Sequence, residues 1–229
     1  RTLAARLADR DWEALRGELL GRGWFRLRAL LSAAECAEFV VDAGRENRFE
    51  RSIVMAPRGY GVGAYHYFRE PLAEPAGELR GELYTRLRPA ARELSGREYP
   101  ATLAAFWRRC RAAGQHRSSS IVLCYGKGGV NHPHRDIYGD EVFPFQALVP
   151  LMVRGRDFSG GEFLLYEETA RGDVRHEIRV DRGDLIVFAT RERLNGGGRR
   201  PHKVPLRHGM ATVTRGERAA LGIVFNLAS

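Results

Sequence analysis

Lysine is almost missing from this chain, cysteine is scarce and no long apolar run occurs, and each shortage excludes something. The basic residues are nearly all arginine, with lysine only at Lys127 and Lys203. A formal net charge of +9 suits a polyanionic partner such as nucleic acid, because phosphate-binding surfaces need cations. An arginine skew of this kind also arises in a GC-rich genome, so charge alone gives such a partner weak support. The three cysteines, Cys36, Cys110 and Cys124, are odd in number and form no CxxC pair; this argues against a zinc or dithiol motif and for buried free thiols in a reducing compartment. No stretch reaches the roughly 20 apolar residues that cross a bilayer. The opening RTLAARLADRDWEALRGELL lacks the basic-then-apolar order of a secretory signal, so we expect a cytoplasmic protein with no membrane partner. No nucleotide-binding glycine loop and no GxSxG elbow is present.

What is there reads as one folded unit over residues 1–229, since 44% of the residues are hydrophobic and no linker or repeat interrupts them. Residues 1–117 are helical in pattern and carry a β-hairpin. Asp11 can cap a helix over 12–21, Trp24-Phe25-Arg26-Leu27 reads as a strand, and Ser32-Ala-Ala-Glu35 has the form of a capping box for a helix over 33–43. The β-prone runs SIVMA and AYHYF flank RGYGVG and predict a hairpin within 52–69. Residues 72–95 and 102–113 look helical, with Pro89 expected to kink or split the first. From residue 118 the texture changes to short strands separated by turns: IVLCY, FQALVPLMV, EFLLYE, RHEIRV, DLIVFA, GMATV and ALGIVF. Such spacing suggests an antiparallel barrel or two-sheet jelly roll.

The chemistry gathers at His134-Arg135-Asp136, His208 and Arg218. Two imidazoles and one carboxylate can hold Fe(II) on one face and leave three positions open. Side chains two apart on a strand share a face, so His134 and Asp136 can converge while Arg135 points away, provided the segment is extended. His208 and Arg218 are expected on one hairpin that turns near Arg215-Gly216. A guanidinium suits a dicarboxylate because its fork makes two parallel charge-assisted hydrogen bonds. His132 could instead pair with His134 in a cupin-type site, but that leaves Asp136 and Arg218 unused. His66, His116, His176 and His202 have no companion pattern and are expected to be surface or hydrogen-bonded. Asp184, in Arg182-Gly183-Asp184, is expected to serve a turn.

The ordered series LCYGKGG, His134-Arg135-Asp136-Ile137-Tyr138-Gly139-Asp140, FSGGEFLLYE, RGDLIVF and HGMATVTRGER resembles the Fe(II)/2-oxoglutarate-dependent dioxygenases, over roughly residues 118–228. It is most similar to the bacterial branch with an HxDLYGE-like segment, with AlkB-like and prolyl-hydroxylase-like relatives. The resemblance implies a double-stranded β-helix core, and so an α+β, mainly β fold with N-terminal helices and a β-hairpin. It implies His134, Asp136 and His208 as iron ligands, Arg218 as the partner of the distal 2-oxoglutarate carboxylate, and Tyr125 as a second cofactor contact. It also implies Fe(II), 2-oxoglutarate and O2 as cofactor and cosubstrates. One departure stands out: many relatives carry a hydroxyl residue two places after the arginine, where this chain has Ala220, so that contact is absent or passes to Tyr125 or to a threonine of the 208–214 strand.

An AlkB-type role, oxidising an N-alkyl group on single-stranded nucleic acid, suits the segment that interleaves Arg51, Arg58 and Arg69 with Tyr60, Tyr65, Tyr67 and Phe68. A second basic segment, with Arg191, Arg193, Arg199, Arg200, His202 and Lys203 around Asn195-Gly-Gly-Gly198, reads as a mobile loop that could close over a substrate or follow a nucleic-acid backbone. The competing readings are hydroxylation of a protein or peptide side chain or of a small metabolite, and, in a different class, a metal-binding β-barrel without catalysis.

Overall fold

Local signals account for the first helices. The computed structural model describes residues 1–43, 46–136, 139–195 and 202–229. Thr2 Oγ1 accepts from the Ala5 N–H at the start of α1 (Leu3–Ala8), a helix not anticipated from the sequence. Asp11 caps α2 (Trp12–Arg22), and Gly23, in the left-handed region, ends it before strand β1 (Trp24–Leu27). The predicted capping box forms at α3 (Ala33–Ala43): Ser32 Oγ accepts from Glu35 N at 3.2 Å, and Glu35 Oε2 accepts from Ser32 N at 2.7 Å. Two orphan donors are thereby satisfied. Arg6 of α1 makes a forked pair with the same Glu35 carboxylate, at 2.6 and 3.0 Å, which joins the two helices.

The next segment carries β2 (Phe49–Val54), β3 (Gly61–Val62) and β4 (Ala64–Phe68), followed by α4 (Ala76–Ser95) and α5 (Leu103–Ala112). Pro89 does not split α4 into two helices. It removes one internal hydrogen bond, but Leu79, Leu83, Leu87, Ala90, Ala91 and Leu94 are all buried on the helix and hold it against its neighbours. Burial of that face outweighs the lost bond.

The remaining strands are β5 (Ile121–Tyr125), β6 (Val130–His134), β7 (Phe145–Pro150), β8 (Phe158–Gly160), β9 (Phe163–Thr169), β10 (Gly172–Ile178), β11 (Leu185–Ala189), β12 (Glu192–Asn195), β13 (His202–Met210), β14 (Val213–Gly216) and β15 (Arg218–Val224). They form a seven-stranded sheet, β1-β11-β7-β15-β5-β4-β2, and a six-stranded sheet, β10-β9-β13-β6-β3 with β12 on β13. Strands β14 and β8 pair separately. Every pairing between these strands is antiparallel, as the mainly β jelly-roll expectation required.

Two expectations are corrected. His208 and Arg218 do not share a hairpin, because β13 lies in the six-stranded sheet and β15 in the seven-stranded sheet. Between them β14 leaves to pair with β8. The basic segment expected as a loop over 191–203 has paired arms, with Asn195 opposite His202 and Glu192 opposite Pro205. The hairpin of β2 and β4 forms as predicted, and its connection reaches the other sheet: β4 pairs with β5, whereas β3 pairs with β6. Asp184 serves a turn, its carboxylate accepting from Ala29 N and Asp181 N at 2.8 and 2.7 Å. Among the described residues no helix is long and apolar enough to cross a membrane.

The Arg6 hydrogen bonds hold the Glu35 carboxyl at about 2, below the ordinary 4.5. A depressed folded value means stability that is fully present above about 4.5 and drains away as pH falls toward about 2. Glu35→Gln is therefore expected to cost about 1 kcal/mol at neutral pH, a figure reduced because the pair is partly solvated. Urea titrations of both proteins should show this difference closing in acid; a gap that persists there would assign the loss to something other than the ion pair.

Candidate active site

Strands β6 and β13 pair with the Cα of His134 opposite that of His208, so both imidazoles stand on one face of the sheet, their ring centroids 4.3 Å apart. A bulge follows between His208 and Met210. Gly209 is needed there, since a Cβ would lie 2.7 Å from the Asn131 carbonyl oxygen. Asp136 lies just past the end of β6, yet the alternation carries its side chain to the same side. Its Oδ1 is 3.5 Å from His134 Nε2 and its Oδ2 is 3.4 Å from His208 Nε2. One ligand atom from each of the three residues lies within 4.8 Å of the others. Arg135 points away, donating to the Leu206 carbonyl at 2.8 Å and to Glu168 at 2.6 Å.

The electrostatics suit a cation. Burial opposes charge on Asp136, but hydrogen bonds from His134 and His208 hold its carboxyl well below the usual carboxylate range. Burial pushes His208 down toward the neutral form, the form with a lone pair to give. For His134, burial also acts downward, but its hydrogen bond and attraction to Asp136 raise it overall. His134 Nδ1 lies 2.7 Å from the His132 carbonyl oxygen, to which it can only donate; this fixes the tautomer and leaves Nε2 free toward Asp136. His208 Nδ1 is buried without a hydrogen-bond partner among the described residues. Behind His208 stand Phe188 and Phe163, with ring centroids 4.9 and 6.4 Å away.

Across the gap, Arg218 of β15 pairs in register with Tyr125 of β5, and its guanidinium carbon sits 5.9 Å from the Tyr125 ring and 6.0 Å from that of Phe158. Both side chains are buried. Burial lowers the guanidinium to about 10, still charged at neutral pH. Glu162, whose charge acts on Arg218, is itself ion-paired with Arg154. Arg218 thus presents a cation that no carboxylate among the described residues pairs with. Ala220 is fully buried, and Thr212 and Thr214 are exposed, so of the substitutes for the missing hydroxyl only Tyr125 faces the same space. Burial pushes its phenol up, and Asn131 lines the same cavity.

The two sheets enclose a cavity of about 820 Å³ that contains His134, Asp136, His208, Arg218 and Tyr125 together. Arg58, Tyr60, Tyr65 and Tyr67 of the hairpin segment line it as well. Tyr65 and Tyr67 meet edge to face at 5.7 Å, and the Arg51 guanidinium lies 4.2 Å over the Tyr67 ring. The connection through β3 spans from one sheet to the other at this end, fixed by the His132 N–H donating to the Tyr60 carbonyl at 3.0 Å. Arg199 and Arg200 lie outside the described residues. His132 is exposed and outside the ligand cluster. His66, His176 and His202 bond to Ser52, Glu167 and Asn195, and His116 is exposed. Sequence reasoning missed Gln146 and Asn131, both of which line the cavity; a lone amide within the apolar run FQALVP was the available signal.

Two imidazoles and a carboxylate gathered this closely fit a divalent transition metal, and the isolated Arg218 beside them fits a dicarboxylate. The fold is that of solved structures including a prolyl-4-hydroxylase of Pseudomonas putida, at TM-score 0.56 and 18% identity over 94% of this chain and 98% of that one. A 2OG-Fe(II) oxygenase family oxidoreductase of Burkholderia pseudomallei matches at TM-score 0.53 and 18% identity over 94% of this chain and 91% of that one. The epimerase SnoN of nogalamycin biosynthesis, also solved with Fe3+ and alpha ketoglutarate, matches at TM-score 0.55 and 15% identity over 93% of this chain and 81% of that one. The chain has the fold of Fe(II)/2-oxoglutarate-dependent oxygenases, and its His-Asp-His cluster has the donor set that could hold such an iron. Its family is given by sequence: a family model described as "oxygenase, catalysing oxidative methylation of damaged DNA" matches residues 63–228, and the chain belongs to that Oxygenase-NA family. An uncharacterized protein of Mycobacterium tuberculosis is 38% identical over 169 residues, 71% of this chain and 72% of that protein.

Gly161, at φ +64°, faces Arg218: a Cβ there would sit 2.8 Å from Arg218 Cδ. Gly161→Ala is expected to cost about 1–3 kcal/mol of stability from the left-handed backbone alone, and to displace the guanidinium. Chemical denaturation measures the first effect and 2-oxoglutarate binding the second; unchanged values in both would show that neither constraint operates.

Proposed function

We propose that this enzyme removes alkyl groups oxidatively from damaged DNA, with His134, Asp136 and His208 holding the iron and Arg218 anchoring the distal carboxylate of 2-oxoglutarate. Tyr125 supplies the hydroxyl that Ala220 cannot. The observation that carries this reading is the single cavity in which the His-Asp-His cluster and the isolated arginine share walls with Arg58, Tyr60, Tyr65 and Tyr67. Rings of this kind stack on an extruded base, and the arginines suit its flanking phosphates. The family description, which names damaged DNA, supports the same substrate class. The likeness to prolyl-4-hydroxylase, at 18% identity, speaks for the fold alone.

When bound, Fe(II) and 2-oxoglutarate supply, with O2, the oxidising power that turns an N-methyl group into an N-hydroxymethyl group, which leaves as formaldehyde while succinate and CO2 are released. The chain's own residues do the positioning. Arg218, fixed in a strand and buried against Tyr125 and Phe158, offers its fork to one end of the cosubstrate, so that the other end points toward the histidines. Phe163 and Phe188 exclude water behind His208, which strengthens each charge interaction in front of it. Tyr65 and Tyr67, on the strand next to β5, set how far a planar substrate enters.

Succinate formation by anaerobically iron-loaded protein after oxygen addition tests this, with methylated single-stranded oligonucleotides, peptides and metabolites compared. Methylated oligonucleotides are expected to stimulate turnover and to bind more weakly as salt rises; neither effect appearing would end the nucleic-acid reading. Asp136→Ala is expected to abolish turnover in a folded protein. Arg218→Ala should raise the KM for 2-oxoglutarate at least about tenfold, the loss of a charge-assisted hydrogen bond, and unchanged cosubstrate affinity would remove Arg218 from its role.

A further inference from the structure

We propose that Gln146 is a positioning residue that keeps the Asp136 carboxylate a one-oxygen ligand, and so sets how many positions the iron has left for 2-oxoglutarate and oxygen. The inference rests on the proposal that His134, Asp136 and His208 hold the iron, and on three further observations.

The first is placement. All six residues of β7, FQALVP, are buried, and Gln146 is the polar side chain among them. An amide buried without a partner costs about 1–3 kcal/mol, so a glutamine at this point of the sheet needs a bond that repays it. The second is that bond: Gln146 Nε2 donates to Asp136 Oδ2 at 2.7 Å. An ionised carboxylate can only accept, so the orientation of the amide is set by its partner. The third is the contrast in rigidity. Gln146 lies in a central strand, opposite Val224 of β15 on one side and Phe188 of β11 on the other. Asp136 lies beyond the end of β6, its backbone carbonyl held by Arg191 at 3.3 Å. A donor on a fixed strand is aimed at a ligand on an irregular segment.

An Fe(II) held by two imidazoles and one carboxylate oxygen would have three of its usual six positions left, enough for a chelating 2-oxo acid and oxygen. A carboxylate that turned to bind through both oxygens would remove one of these. Gln146 engages Oδ2 and leaves Oδ1, on the His134 side, as the ligand atom. A neutral amide does this without competing for the cation as a lysine or arginine would, because it orients the carboxylate and leaves its charge in place.

Gln146→Met keeps the side-chain length and removes the donor; Gln146→Leu removes it from a shorter side chain. Both are compared with wild type and with Asp136→Ala by anaerobic Fe(II) titration and by the visible charge-transfer band that appears when a 2-oxo acid chelates Fe(II). We expect both glutamine variants to bind Fe(II) more weakly, on the order of 10- to 100-fold as for other partners of metal ligands, and to show a weaker or shifted band. Thermal unfolding of the metal-free proteins should stay near the wild-type midpoint. If Gln146→Met unfolds, Gln146→Leu decides. Wild-type Fe(II) affinity and an unchanged band in a folded Gln146 variant would overturn the proposal while leaving the ligand assignment standing. Fe(II) binding that survives in Asp136→Ala would overturn both.

Discussion

The cross-strand pair His134 and His208 is the constraint on which the cavity depends. Because the two Cα atoms face each other in the β6 and β13 ladder, the imidazoles lie on one face without any side chain having to reach. A one-residue slip in that register would send one imidazole to the opposite face. The bulge after His208 and the missing side chain at Gly209 let the strands approach closely at this point. Asp136 needs no strand of its own, only two residues of continued alternation. The electrostatic result is a carboxylate held ionised beside two imidazoles, one of which burial keeps toward its neutral form.

The second sheet supplies what the first lacks. Tyr125, Gln146 and Arg218 stand on three adjacent strands, β5, β7 and β15, across the gap from the histidines. Arg218 is buried, and among the described residues its guanidinium meets aromatic faces and a carboxylate already paired elsewhere. Burying a cation without a partner is costly, and a fold keeps such a group where a bound anion completes it. The segment from β2 to β4 joins the two sheets at the mouth, which brings Arg58, Tyr60, Tyr65 and Tyr67 into the cavity walls. In the proposed function the same wall that seals the sheets also meets the substrate.

Much of this was legible in the residues. The capping box at Ser32 and Glu35, the cap at Asp11 and the hairpin strands follow from local rules and form, as do the expected short strands after residue 118 except GMATV, which breaks at Ala211-Thr212 between β13 and β14. The outward path of Arg135 followed from alternation. Other features were not legible because they depend on distant partners. Pro89 stays inside a continuous helix because the buried face around it outweighs one lost bond. The hairpin expected to join His208 to Arg218 does not exist, since a local turn signal at Arg215-Gly216 cannot say that β14 will leave to pair with β8. Gln146 was hidden within an apolar run whose pattern reads as core.

By itself the sequence determined the chemistry at hand: two histidines, an aspartate and an arginine of the right kinds, in a chain whose alternations and turns specify antiparallel strands. Those properties are local, written in residue type and in spacings of two along a strand. Only the tertiary structure decided which residues share a space. The placement of β13 and β15 in opposite sheets sets Arg218 across from His208, and a central strand carries Gln146 to Asp136 at 2.7 Å. The physical reason is that strand partners are chosen by the burial of whole sheet faces, a sum over residues far apart in the chain that no local pattern contains.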